Sequence, residues 1–274
     1  TPDFASAPLV HGLDRASYAG RIALHVDAPR SLAESLAAGR LDAALIPPHL
    51  YAPLAETLEL IPGMAIASRG PVLAARLDVT APLSSIERIA IRGDGHAAEA
   101  LVRVLFSTSG RQPVLVPWDA PGAAPGARLR TGDEALLEPG EAGSRSIDLG
   151  EAWSALTGMP MVWSLWAAQP GRITRGTYAL LHSARTRGRH ALSTMAARRA
   201  ERAGAPEAAG RFERLVAEHV VYRLGRAQLD GLALFWSACV RAAVLESVPR
   251  PKFLPLSQGS VCQRWAAEMA RYTV

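Results

Sequence analysis

Seven histidines, two cysteines and a complete lack of asparagine set the side-chain chemistry open to this 274-residue chain. A carboxamide can come only from the five glutamines, Gln112, Gln169, Gln228, Gln258 and Gln263. There is no Gly-x-Ser-x-Gly elbow, His-Glu-x-x-His pair, P-loop or Gly-x-Gly-x-x-Gly loop, so no nucleophile, zinc or phosphate motif stands out. His96 lies in Gly93-Asp94-Gly95-His96, a glycine-flexible loop entering a helix, where backbone N–H groups and the helix dipole favour an anion. A plain tight turn with a solvent-facing imidazole is its other reading. His11, ahead of Gly12, reads as a satisfied polar group near a loop. Asp133 and Asp148 each follow an apolar segment, which puts them near the carboxyl ends of strands, where open α/β sheets bind ligands. Each could equally cap the next helix, and Asp148 before Glu151 and Trp153 suits capping better. Arg69 beside Gly70 is either a bidentate carboxylate clamp or a solvated side chain. Cys239 and Cys262 form neither a metal cluster nor a disulfide framework, and Cys239, within an apolar helix, reads as a buried inert thiol.

The elements that must position these groups alternate strand and helix over the first third. Residues 21–26 (RIALHV) read as a short strand, 31–38 as an amphipathic helix capped by Ser31 and stopped at Gly39, and 41–46 (LDAALI) as a buried strand. That order implies a parallel pair with a right-handed crossover. Further strands are expected at 58–67, 72–77, 86–91, 114–116 and 161–166, and helices at 97–106 and, after a short strand, up to 156. Residues 118–128 (WDAPGAAPGAR) read as an exposed connection. Helical periodicity fills 179–203, 206–224 and 228–248. Two α/β units followed by a helical tail predict two lobes and a cleft: 1–84 with 165–274 as the first lobe, 85–164 as the second, with a hinge of two crossovers between them.

Composition bounds the partners. With 49% apolar and 20% charged residues the chain is globular, and it is about two ordinary domains long. A net charge of +5 would suit a polyanion binder only if the basic residues clustered. The densest run, 185–202, has helical spacing and no interleaved aromatics, so it reads as a solvated face. Lys252 is the one lysine among 30 basic residues, a compositional background effect. No run of 18 apolar residues and no signal-peptide pattern appears, so the expectation is a soluble, cytoplasmic protein with no nucleic-acid or membrane partner. The long helices after Tyr178 could pair in a homodimer.

Taken in order, several segments resemble one family. They are Pro8-Leu9-Val10-His11-Gly12-Leu13, residues 36–46 (LAAGRLDAALI), Ala67-Ser68-Arg69-Gly70-Pro71-Val72, Thr131-Gly132-Asp133-Glu134-Ala135-Leu136, Asp148-Leu149-Gly150-Glu151-Ala152-Trp153, Thr157-Gly158-Met159-Pro160-Met161-Val162 and Trp166, followed by Tyr222 and residues 231–235 of the helical tail. Their order and spacing resemble the chorismate dehydratase family of the futalosine menaquinone pathway. The resemblance implies a type-2 periplasmic-binding-protein fold, two α/β lobes joined by two crossovers. It implies a lyase that removes water from chorismate, or a close enolpyruvyl cyclohexadiene carboxylate, to leave an aromatic product, with no metal or organic cofactor. The ligand is then a small carboxylate.

The departures from the family fall on its site. The family's functional Asn aligns with Ala5, in Asp3-Phe4-Ala5, with Ser6 the neighbour that could compensate. Its Ser-Ser pair aligns with Pro47-Pro48, and its helix-opening Ser-x-Thr-Ser with Gly95-His96-Ala97-Ala98. The substrate-binding set implied is therefore Ser6, Pro47, Pro48, Ser68, Arg69, Gly70, Gly95, His96, Ala97, Ala98, Asp133 and Asp148. Each lost hydrogen bond to a charged group costs about 1.5–3 kcal/mol of binding. The sequence thus leaves three readings: a dehydratase with an altered site, a catalytically silent or redirected relative that binds a small carboxylate or aromatic ligand, or an interaction or assembly protein.

Overall fold

The computed structural model describes residues 2–14, 22–92, 95–121, 126–138, 140, 143–255 and 261–272. A 3-10 turn, Phe4–Ser6, runs into the short helix α1 (Ala7–Val10), and α2 (Pro29–Ala37) leads to β1 (Ala43–Ile46) and α3 (Pro48–Tyr51). Then follow β2 (Glu59–Ser68), β3 (Ala75–Val79), β4 (Arg88–Ile91), α4 (Ala97–Ser107), β5 (Val114–Pro117) and β6 (Ala127–Thr131). The chain continues through α5 (Gly132–Leu137), β7 (Arg145–Asp148), α6 (Leu149–Thr157) and β8 (Met161–Ala168). The tail is α7 (Arg175–His190), α8 (Leu192–Arg202), α9 (Ala209–Arg214), a π-helical turn at Leu215–His219, α10 (Arg226–Arg241), β9 (Lys252–Phe253) and α11 (Val261–Tyr272).

The strands form two sheets. The first has the order β1-β8-β2-β9, with β8 antiparallel to both its neighbours and β9 parallel to β2. The second has the order β5-β4-β6-β3-β7, parallel among β5, β4 and β6 and antiparallel among β6, β3 and β7. β8 is buried at every position, as a central strand covered on both faces must be. The chain passes from one sheet to the other twice, between Ser68 and Ala75 and again from Asp148 through α6 to Met161. Aromatic side chains tie the helices to one another. Trp153 of α6 meets Phe235 of α10 edge-on at 6.0 Å, and the Trp236 indole N–H donates to the Pro48 carbonyl at 3.0 Å.

Several expectations change here. Residues 22–26 form no strand: Ala23 to Val26 are exposed, and β1 takes its partner from β8 instead, antiparallel, so the parallel pair with its crossover does not form. Alternating apolar residues report which side is covered; they do not say which strand pairs. α2 begins at Pro29, with Ala28 in the cap position, because proline's fixed φ suits the first helical turn; Ser31 lies inside the helix. β3, which the division at residue 84 leaves in the first lobe, pairs within the second sheet, whereas β8 from Met161 onward pairs in the first. The connection expected at 118–128 gives way to β6 at Ala127. The helix expected over 179–203 breaks at Ala191, and that expected over 206–224 ends at His219, after which Val221 bridges to Ala67. Cys239 is buried, and burial pushes its thiol up to about 12, as expected of an inert core cysteine.

Candidate functional site

Between the sheets lies a narrow cleft of about 70 Å³. Its walls are built from chain turns and element ends. Asp3, Ala5 and Ser6 come from the first turn, Pro29 from the start of α2 and Pro47 from the end of β1. Val72, Ala74 and Ala75 come from the first crossover, Thr131 and Gly132 from the β6–α5 junction, and Trp163 and Ser164 from β8. His96, Ala97 and Ala98 form the mouth of α4.

The α4 terminus is fixed reciprocally. The His96 N–H donates to Glu99 Oε1 at 3.0 Å, and the Glu99 N–H donates to the His96 carbonyl at 3.0 Å. As the first two residues of the helix, Ala97 and Ala98 have backbone N–H groups with no acceptor within it, at the positive end of its dipole. Gly95 makes the approach with φ +83°, and a Cβ there would lie 2.9 Å from Leu50 Cδ1 and 3.1 Å from Arg30 Cβ. Gly93 and Asp94 of the same loop fall outside the described residues.

Of the residues expected at the site, Ala5, Ser6, Pro47, His96, Ala97 and Ala98 meet at the cleft. The Ala5 carbonyl accepts from the Tyr222 hydroxyl at 2.6 Å, which ties this wall to the helical tail. The Ser6 hydroxyl donates to the Asp3 carbonyl at 2.7 Å, holding the turn it belongs to. Ser68 stands one layer back. It is buried, and its Oγ accepts from the Trp163 indole N–H at 2.9 Å, so it positions a wall residue.

The remaining expected residues serve the frame. Pro48 starts α3 and receives Trp236. Arg69 is exposed on the first crossover, away from the cleft lining, and Gly70 turns the chain there with φ +86°. Asp148 caps α6, accepting from the N–H groups of Gly150 and Glu151 at 2.9 and 3.0 Å, and also from those of Val72 and Leu73. Asp133 accepts from the Phe4 N–H at 2.8 Å and pairs with Arg199. Burial raises its carboxyl above the usual carboxylate range, against the opposing pull of Phe4 N–H and Arg199. Asp148 is thus occupied by backbone N–H groups and Asp133 by a backbone N–H and Arg199, and neither lines the cleft.

Sequence reasoning missed Asp3, Thr131, Trp163 and Ser164 as cleft residues. Asp3 is the most consequential, since its Oδ2 lies 3.8 Å from His96 Nδ1 across the cleft wall. Its signal was Gly132: with φ +60°, a Cβ there would lie 1.9 Å from Asp3 Oδ1. Beneath His96, His49 has a buried Nδ1 with no hydrogen-bond partner. Burial, then the charges of Arg30 and His96, lower its imidazole to about 4. Among the described residues no group of three or more His, Cys, Asp or Glu is placed to hold a metal ion, and no helix is long and apolar enough to cross a membrane.

Residues 1–241 match the profile of a family described as menaquinone biosynthesis. Among solved structures, protein AF1704 from Archaeoglobus fulgidus is similar over 89% of this chain and 96% of that one, at 18% identity and a TM-score of 0.63. The alkanesulfonate-binding protein SsuA from Xanthomonas axonopodis pv. citri, bound to MOPS, covers 82% of this chain and 84% of its own at 13% identity and a TM-score of 0.56. The Candida albicans CA3427 product, described as having the generic periplasmic-binding-protein fold, covers 90% and 89% at 11% identity and a TM-score of 0.56. At these identities the likeness is one of fold, and the fold is that of the periplasmic binding proteins.

Proposed function

Because the chain belongs to the menaquinone biosynthesis family of chorismate dehydratases, we propose that it removes water from chorismate, or from a close enolpyruvyl cyclohexadiene carboxylate, in the cleft between its sheets. The observation that carries this reading is the convergence on one narrow cleft of the α4 amides at Ala97 and Ala98 with the family-matching Thr131-Gly132 and with Ala5 and Pro47, the positions that align with the family's site residues. Aromatisation supplies the driving force for such an elimination. The protein's work is therefore to hold the carboxylates, align the ring and keep water away.

In this reading the α4 terminus takes one substrate carboxylate through backbone N–H groups, a form of anion binding that survives the replacement of the family's hydroxyl-bearing residues by alanine. Trp163, locked by Ser68, gives the ring a flat apolar wall. A ring carrying two carboxylates enters as the lobes part about the crossovers after Ser68 and Asp148, and closure excludes water around it. Incubation of the purified protein with chorismate, followed by ultraviolet absorbance and chromatography, tests the reading. The expected result is consumption of chorismate with growth of an aromatic 3-(1-carboxyvinyloxy)benzoate; a rate no higher than the spontaneous one would overturn it.

A further inference from the structure

Beside Ala5, Ala97 and Ala98, which stand where the resembling family carries its amide and hydroxyl groups, the cleft of this chain presents a carboxylate, Asp3, and an imidazole, His96. We infer that Asp3 and His96 form the acid–base pair of the elimination, an inference that rests on the dehydratase reading. Both side chains line the cleft, 24% and 20% exposed, with Asp3 Oδ2 and His96 Nδ1 3.8 Å apart. Contacts of this kind are commonly long before substrate binds and tighten in the complex.

The placement of each group is specified independently. Asp3 is held by its own turn, the Ser6 N–H and Oγ both donating to its carbonyl at 3.0 and 2.7 Å. Arg199 fixes the residue before it by donating to the Pro2 carbonyl at 3.1 Å. The carboxylate then lies over Gly132, in space that any side chain there would fill. His96 is held at the helix mouth by Glu99. Around the pair stand Glu99 on α4, Arg30 at the start of α2, His49 on α3, and Asp133 with Arg199 behind Asp3.

The chemistry follows from substrate geometry. The two ring oxygens of chorismate are trans, so the hydrogen on the ether-bearing carbon and the hydroxyl on its neighbour share one face, and both can be served from one wall. Asp3 carboxylate takes the ring proton, and the C–H electron pair becomes the new ring π bond. The C–O bond to the hydroxyl breaks as the His96 imidazolium donates its proton, and water leaves. The proton on Asp3 then passes to His96 across the short gap, which restores the starting pair. One chorismate gives one arene and one water, with no outside oxidant, reductant or base.

The test uses Asp3→Asn, His96→Gln and the double variant in the full chain, with turnover of chorismate, affinity for the aromatic product and thermal melting measured for each. General acid–base assistance is worth about 10²–10⁴-fold. Each single variant is expected to lose at least about 10²-fold in kcat while melting and product affinity stay close to wild type. The double variant is expected to be little worse than either single variant, since the two groups act as a unit. Variants within about threefold of wild type would overturn the pair while leaving the dehydratase reading intact. A wild-type protein without turnover would overturn the dehydratase reading and the pair with it. Should His96→Gln melt early, His96→Ala assayed with added imidazole replaces it: restored turnover supports the pair, and full activity without imidazole overturns it.

Discussion

The Asp148 carboxylate accepts the backbone N–H of Leu73 at 2.7 Å, which joins the two crossovers between the sheets through one side chain. Leu73 holds φ +61°, an uncommon conformation for leucine, and Val72 and the first N–H groups of α6 share the same carboxylate. Gly150 completes the contact, since a Cβ there would lie 2.6 Å from the Gly70 carbonyl. Asp148→Ala removes a helix cap and strips the acceptor from two further N–H groups. The expected loss is about 2–4 kcal/mol in urea denaturation. Asp148→Asn, which keeps one acceptor oxygen, should lose less. A loss within about 0.5 kcal/mol in the alanine variant would show that the crossovers are held elsewhere.

Ser68 and Trp163 make a second such relationship, buried and aimed at the cleft wall. Ser68→Ala leaves the indole N–H without its acceptor, at a cost of about 1–3 kcal/mol. Because Trp163 lines the cleft, ligand affinity should fall alongside stability, and the tryptophan fluorescence change on ligand addition should alter. Stability loss with unchanged affinity would place Trp163 outside the binding surface.

His49 gives a pH prediction. Its folded imidazole sits at about 4, below the unfolded value near 6.5. The unfolded chain therefore takes up this proton first as pH falls. The stability contributed by neutral His49 is complete above about pH 6.5, declines between there and about pH 4, and is constant below. The decline is worth about 3 kcal/mol. Urea midpoints measured from pH 7.5 down to pH 4 should show it in the wild type, and His49→Gln should flatten that part of the curve.

Gly132 and Gly39 separate a local strain from a functional one. Both adopt left-handed backbone, φ +60° and +71°, so alanine costs about 1–2 kcal/mol at each. Around Gly39 there is open space, whereas at Gly132 the new methyl displaces the Asp3 carboxylate. Gly132→Ala should therefore depress chorismate turnover toward the level of Asp3→Asn, with Gly39→Ala changing only the melting temperature. Equal turnover in the two variants would separate Asp3 from the chemistry.

Much of the frame was legible along the chain. The strand in AALI, the apolar run into Ser68, the α4 and α6 boundaries and the unbroken burial of MVWSLWAA follow from local periodicity and caps, which act within one element. Residues 22–26 are largely apolar in type and form no strand, because local composition does not supply a pairing partner: Ala23 to Val26 stay exposed and β1 pairs with β8. At the site, Ala5, His96, Ala97 and Ala98 were legible through family spacing. Asp3 was not, since its relevance depends on Gly132, 129 positions away.

The amino-acid sequence by itself determined the inventory: no asparagine anywhere, Pro47-Pro48 and Ala97-Ala98 where hydroxyls are expected, and the element lengths that build a two-lobed fold. Only the tertiary structure decided which charges are consumed and which are available. Asp133 and Asp148, the acids most prominent in the sequence, bond to backbone N–H groups, and Asp133 also to Arg199, whereas Asp3 and His96 meet across the cleft. The reason is that a carboxylate's role depends on the donors brought to it in space, and those donors lie 66 to 129 residues from Asp133 and up to 76 from Asp148.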